Sequence, residues 1–341
     1  MSKESLVKEI HDEAIIIDGH YDLLFDVVQH REKGMRRVIE KNHLPNFKAG
    51  GIDIIVSSIF IDNEHVPMLA LQKALNQISA LYEEIDESPD QLMLCKSYDD
   101  ILEAKRTGKV GILLSFEGVE PLFDDITLLR PFYELGVRFV GLTWSRRNAA
   151  ADGSLEDETF FGGGLTPFGK QLVQEAEDLG MIIDVSHLND PGFDDVLTAS
   201  KQTIIASHSN AREITNLKRN LSDEQLKAIA KTGGVAGINV VSSVAAVYRE
   251  DATIELLADH IEHMVKTAGI DHVSLGLDCC DMLYEHYHPS EIKEDRAFDI
   301  LKDHSALPEL TSILIDRGFT KGDIKKIYGE NLLRIYKNIL K

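Results

Sequence analysis

Eight short apolar runs recur along the chain, each followed by a stretch with helical spacing. This alternation restricts the fold more than any other feature of the sequence. The runs are residues 14–18, 52–60, 110–116, 137–143, 181–186, 203–207, 234–240 and 272–277. They are continuous rather than alternating with polar residues, the pattern of parallel strands covered on both faces. Between them, residues 68–85, 166–179, 221–232, 254–268 and 321–340 carry apolar residues at helical spacing. Thr166-Pro167 and Ser222 supply N-terminal caps, and Gly233-Gly234 supplies a stop. Eight strands alternating with helices predict a (β/α)₈ barrel. The rival is a doubly wound open sheet, which usually carries a glycine-rich phosphate loop after its first strand. Here the first run leads into Gly19-His20-Tyr21-Asp22, so the barrel is preferred. The 341 residues contain no low-complexity linker, and the expectation is one domain over 1–341.

In a barrel the reactive groups come from the C-terminal ends of different strands. His20 and Asp22 follow the first run, Glu117 the third, Trp144 and Arg146 the fourth, His187 the fifth, His208 the sixth and Asp278 the eighth; Asn239 lies near the end of the seventh. Imidazole and carboxylate together suit zinc or a similar divalent ion. A carboxylate can bridge two ions about 3.5–4 Å apart. The economical arrangement places His20 and Asp22 on one ion, His187 and His208 on another, and Glu117 across both. A bridging water would become a hydroxide nucleophile, with Asp278 free to orient it and shuttle its proton. The remaining histidines, His30, His43, His260 and His304 among them, read as satisfied core or surface residues.

Other classes are excluded by composition. A net charge of −21 opposes binding to nucleic acid or to an anionic membrane. No run reaches the roughly 18 apolar residues of a membrane span. Cys95, Cys279 and Cys280 are too few for a disulfide framework and read as buried thiols rather than ligands. With no signal-peptide pattern at the N-terminus, the expected location is the cytoplasm.

From Ile15 to about Tyr336 the chain resembles the membrane (renal) dipeptidase family of metallopeptidases, peptidase family M19, a branch of the amidohydrolase-type barrels. The resemblance rests on the order and spacing of several stretches. They are Asp18-Gly19-His20-Tyr21-Asp22, Ser115-Phe116-Glu117-Gly118, Asp184-Val185-Ser186-His187, Ala206-Ser207-His208-Ser209, Arg219-Asn220, Gly276-Leu277-Asp278 and Gly329-Glu330-Asn331. It implies a zinc-dependent dipeptidase with two metal ions, held by His20, Asp22, Glu117, His187 and His208. It further implies Asp278 as the catalytic acid/base and Arg219 as the grip on the substrate's terminal carboxylate. Dipeptides ending in a D-residue and a homodimer are also implied. The chain departs from the family pattern at Trp144, where well-studied members carry a histidine that binds the scissile carbonyl. Stabilisation of the oxyanion would then rest on the metal, or on a neighbour such as Asn148 or Arg146. The rival activity in the same site is hydrolysis of N-acyl amino acids or cyclic amides.

Overall fold

The computed structural model describes residues 2–154, 162–283, 286 and 296–340. Nine parallel strands are present among them: β1 (Ile16–Tyr21), β2 (Ile52–Phe60), β3 (Leu92–Leu94), β4 (Val110–Glu117), β5 (Val137–Gly141), β6 (Ile182–Asp184), β7 (Ile204–Ile205), β8 (Ala236–Ile238) and β9 (Val273–Leu275). Eight of them coincide with the eight apolar runs. They pair in the order β1-β2-β4-β5-β6-β7, and β8 pairs with β9. A parallel bridge between Ala206 and Ala236 links β7 to β8. The ring closes where the Asp278 N–H donates to the His20 carbonyl at 3.0 Å. This is the expected (β/α)₈ barrel.

The ninth strand, β3, was not expected. It pairs with the first half of β4, Leu92 opposite Val110, and β5 begins to pair only at Leu114. β3 therefore fills the edge of β4 below the point where β5 joins. Its three residues, Leu-Met-Leu, carry no β-branched side chain and suit a helix as well as a strand.

Alternation along each strand sorts the core into two sets. Ile54, Val56, Leu113, Phe139, Ile182 and Ile205 face the lumen. Ile55, Ile112, Leu114, Phe116, Val140 and Ile183 face the surrounding helices. From below, Leu332, Ile335 and Tyr336 of the last helix, Asn331–Ile339, plug the lumen. The Phe139 and Tyr336 rings meet edge to face at 5.5 Å. Glu117 lies on the same face as Leu113 and Ser115, so it tops the lumen's side-chain stack. The stretch 321–340 is helical with one irregularity, a π turn at Lys326–Glu330. There Gly329 passes so close to the Ile15 carbonyl that a Cβ would sit 1.8 Å from its oxygen. No helix among the described residues is long and apolar enough to cross a membrane.

The caps expected from sequence form. Thr166 accepts from the Gly169 N–H, and Ser222 and Gln225 make a reciprocal capping box.

Candidate functional site

Of the residues singled out in the sequence, His20, Asp22, Glu117, His187, His208, Arg219 and Asp278 converge at the C-terminal mouth of the barrel. Glu117 is the hub. Its Oε2 lies 3.5 Å from His20 Nε2, while its Oε1 lies 3.1 Å from His187 Nε2 and 3.7 Å from His208 Nε2. The two oxygens thus face two different groups of ligands. Three sets have ligand atoms all within 4.8 Å of one another: His20, Asp22 and Glu117; Glu117, His187 and His208; and His20, His208 and Asp278. The His20 and His208 rings stack at 3.6 Å.

The strands hold these groups through backbone geometry and buried acids. His187 and Asp278 both adopt left-handed backbone conformations, φ 67° and 57°. Such conformations are uncommon for non-glycine residues and cluster at functional sites. Asp18, within β1, accepts the Leu277 N–H at 2.8 Å and the His20 N–H at 3.3 Å, and its other oxygen meets His304 Nε2 at 2.8 Å. It pins the ends of the first and last strands together. Asp184 does the same for β6 and β7, accepting the N–H groups of Ser186 and Ser207, both at 2.9 Å. Asn239 donates to Asp278 Oδ2 at 2.8 Å, and Ser58 donates to Asp22.

The electrostatics call for added positive charge. Asp22, Glu117 and Asp278 are three carboxylates in one buried cluster. Burial pushes the Asp278 carboxyl up to about 6, against the pull of His20. Asp22 is raised well above the usual carboxylate range by burial and by Glu117. Burial works against a charge on His20, but Glu117 outweighs it and raises the ring to about 10. His187 is driven down to about 3 by burial and by Arg219. Both His20 nitrogens and Glu117 Oε2 are buried without a hydrogen-bond partner. Buried polar atoms are normally paired, and these are the atom types a divalent ion accepts. The residues present therefore fit a metal centre.

Arg219 reaches the site from the loop after β7. Its guanidinium donates to Ser209 Oγ at 2.7 Å and to the His208 carbonyl at 2.7 Å, and lies 3.1 Å from His187 Nε2. A cavity of about 540 Å³ opens over Glu117, His187 and Asp278, walled by Trp144, Phe60 and Phe25. The Trp144 and Phe60 rings meet at 5.2 Å. Arg146 and Asn148 are engaged elsewhere. Arg146 pairs with Glu120 at 2.9 Å and donates to the Ile61 carbonyl. The Asn148 amide donates to the Leu142 carbonyl, and its oxygen caps Ala150 and Ala151. Of the two alternatives for carbonyl binding, a neighbouring side chain is thus not what the geometry favours, because both groups are committed to other partners. Cys95 and Cys279 are buried, as expected, whereas Cys280 is only half-buried. The sequence reading missed Asp18 and Asp184, and it set aside His30 and His286, which face Asp26.

Fold and site together define a barrel hydrolase with a candidate metal centre at its mouth. The chain belongs to the membrane dipeptidase family, peptidase family M19, whose sequence model matches residues 4–341. It is a peptide-bond hydrolase. It is 27% identical over 332 residues to dipeptidase tcpJ of Claviceps purpurea, covering 95% of this chain and 74% of that protein. Among solved structures it resembles dipeptidase AC, a metallopeptidase of the same family, with a TM-score of 0.83 and 25% identity over 96% of this chain and 99% of that one. The fold is shared equally with a metallopeptidase from Rhodobacter sphaeroides solved with a phosphinate mimic of the dipeptide L-Ala-D-Ala. That match has a TM-score of 0.83 and 24% identity, covering 96% of this chain and 100% of that one.

Proposed function

We propose that this chain hydrolyses free dipeptides at a centre of two divalent ions, zinc by the chemistry of its ligands. The observation that carries this reading is the split of Glu117. One oxygen faces His20 and the other faces His187 and His208, with both His20 nitrogens and Glu117 Oε2 lacking a hydrogen bond. His20, Asp22 and Glu117 would hold one ion, and Glu117, His187 and His208 the other. When bound, such ions acidify a shared water and polarise the scissile carbonyl. The chain's own groups do the rest. Asp278, oriented by the Asn239 amide, takes the water's proton and passes it to the leaving amine. Arg219 offers its guanidinium to the substrate's free carboxylate, the anion a planar fork fits best. That contact favours dipeptides over longer chains, whose carboxylate lies too far from the scissile bond. Trp144 supplies a flat wall and one indole N–H in place of an imidazole. Acceptance of a C-terminal D-residue, a cytoplasmic location and a homodimer belong to the same reading. The fungal relative's name and the dipeptide mimic bound by the Rhodobacter protein agree with the substrate class.

The test is a panel of L,L- and L,D-dipeptides beside N-acyl amino acids and carboxyl-amidated dipeptides, with and without added zinc. Zinc-dependent cleavage of the free dipeptides, and loss of cleavage on amidation, is the expected result. Cleavage of N-acyl amino acids alone by fully metal-loaded protein would overturn the dipeptidase assignment.

A further inference from the structure

On the wall of the same cavity lies another group of ligand-type side chains that the proposed reaction does not use. Asp26 and His30 are four residues apart on the helix Leu23–Glu32, and so share one of its faces. His286 comes to them from the segment beyond β9 and, with Gln29, lines the cavity. Both imidazoles converge on one oxygen of Asp26. His286 Nε2 lies 2.9 Å from Asp26 Oδ1, and His30 Nε2 lies 3.4 Å from it. The three ligand atoms all fall within 4.8 Å of one another.

These separations have a meaning for a small cation. Tetrahedral ligands about 2.0–2.1 Å from zinc stand roughly 3.3–3.4 Å apart. Small side-chain shifts would bring all three atoms to that spacing. Two imidazoles and one carboxylate, with positions left for water, is a set that suits zinc and similar first-row ions. The carboxylate is already held as a ligand needs to be. Its second oxygen is fixed by His43 Nε2 at 2.9 Å, and His43 Nδ1 is in turn held by the Tyr21 hydroxyl at 3.0 Å. Such outer partners orient ligating carboxylates and fix tautomers. Asp26 is buried, with its side chain 1% exposed, and one buried carboxylate does not require three imidazoles to satisfy it. Burial opposes its charge, but the bonds from His43 and His286 outweigh that and hold it below the usual carboxylate range. The fourth position is open: the His30 side chain is 28% exposed and His286 borders the cavity.

We propose that Asp26, His30 and His286 form an auxiliary divalent-cation site of the zinc type, separate from the Glu117 centre. An ion there would tie His286 to the helix Leu23–Glu32. The site lies beyond the proposed dipeptidase reaction and stands independently of it.

The experiment counts metal. Wild-type protein and the variants His30→Gln and His286→Gln are equilibrated with buffered Zn²⁺, separated from free ion, and analysed for bound zinc. Glutamine keeps an amide N–H for Asp26, and the folding of each variant is checked by circular dichroism. The expected result is one equivalent less zinc in each variant. The difference between wild type and variant does not depend on how many ions the Glu117 centre holds. A Co²⁺-substituted pair gives a second reading, since loss of one tetrahedral nitrogen-rich site removes part of the visible absorption. Equal zinc content and superimposable Co²⁺ spectra in wild type and both variants would overturn the proposal, leaving a hydrogen-bonded network.

Discussion

The Asp184→Asn substitution tests how the barrel prepares a ligand before any ion arrives. Asp184 Oδ1 accepts two backbone N–H groups at 2.9 Å, and Oδ2 accepts the Ser207 hydroxyl. A carboxylate offers no proton, so the Ser207 proton points at Asp184. The Ser207 oxygen lies 2.6 Å from His208 Nδ1 and must therefore accept the Nδ1–H. That leaves Nε2 of His208, the nitrogen facing Glu117, with a free lone pair. Asparagine keeps one oxygen for the two backbone N–H groups but puts an NH₂ donor against Ser207. The hydroxyl then turns its proton toward His208 Nδ1, and the ring's own proton moves to Nε2, where a metal would bind. Fold stability should fall only by about 1–2 kcal/mol, as charge-assisted bonds become neutral ones. Metal affinity should fall about 10–100-fold, the usual effect of removing a ligand's outer partner. Titration of metal-free protein with Zn²⁺ against a chromophoric chelator reads the affinity, and urea unfolding reads the stability. An affinity within about two-fold of wild type in a folded variant would refute the tautomer argument.

Two further outcomes follow from the same geometry. Asp278→Asn should cut turnover by about 10²–10⁴-fold while bound metal, measured by elemental analysis, stays at the wild-type level. Asp299 concerns stability and pH. Burial and then Asp281 push its carboxyl up to about 8. Its folded value is above its unfolded one, so folding takes up a proton, and this contribution is complete below about pH 4 and lost as pH rises toward 8. Asp299→Asn should flatten the decline of Tm between those limits; a Tm profile parallel to wild type would show that Asp299 does not titrate with folding.

Much of the architecture was legible because the information is local. Each barrel strand is a run of apolar, mostly β-branched residues, and each candidate metal ligand sits one to four residues past such a run. His20, Glu117 and His208 could be placed at one mouth without knowing any contact. What escaped was information held between strands. Asp18 and Asp184 sit inside the apolar runs, and nothing in the sequence tells that each accepts an N–H from the neighbouring strand. His30 and His286 are separated by most of the chain, and only the fold brings both to Asp26. Arg146 and Asn148 were close in sequence to the site, but Glu120 and the turn backbone claim them. β3 is too short and too leucine-rich to announce itself.

The contact from Leu277 to Asp18 spans 259 positions of the chain. It joins the first strand to the last, and His20 and Asp278 take their places through it. During synthesis at about 5–20 residues per second, roughly 13–50 s pass between the making of these two ends. Until the last strand is made, no closed ring sets His20 beside Asp278. On the proposed mechanism, peptide hydrolysis therefore waits for the final strand, a form of timing written into the connectivity itself.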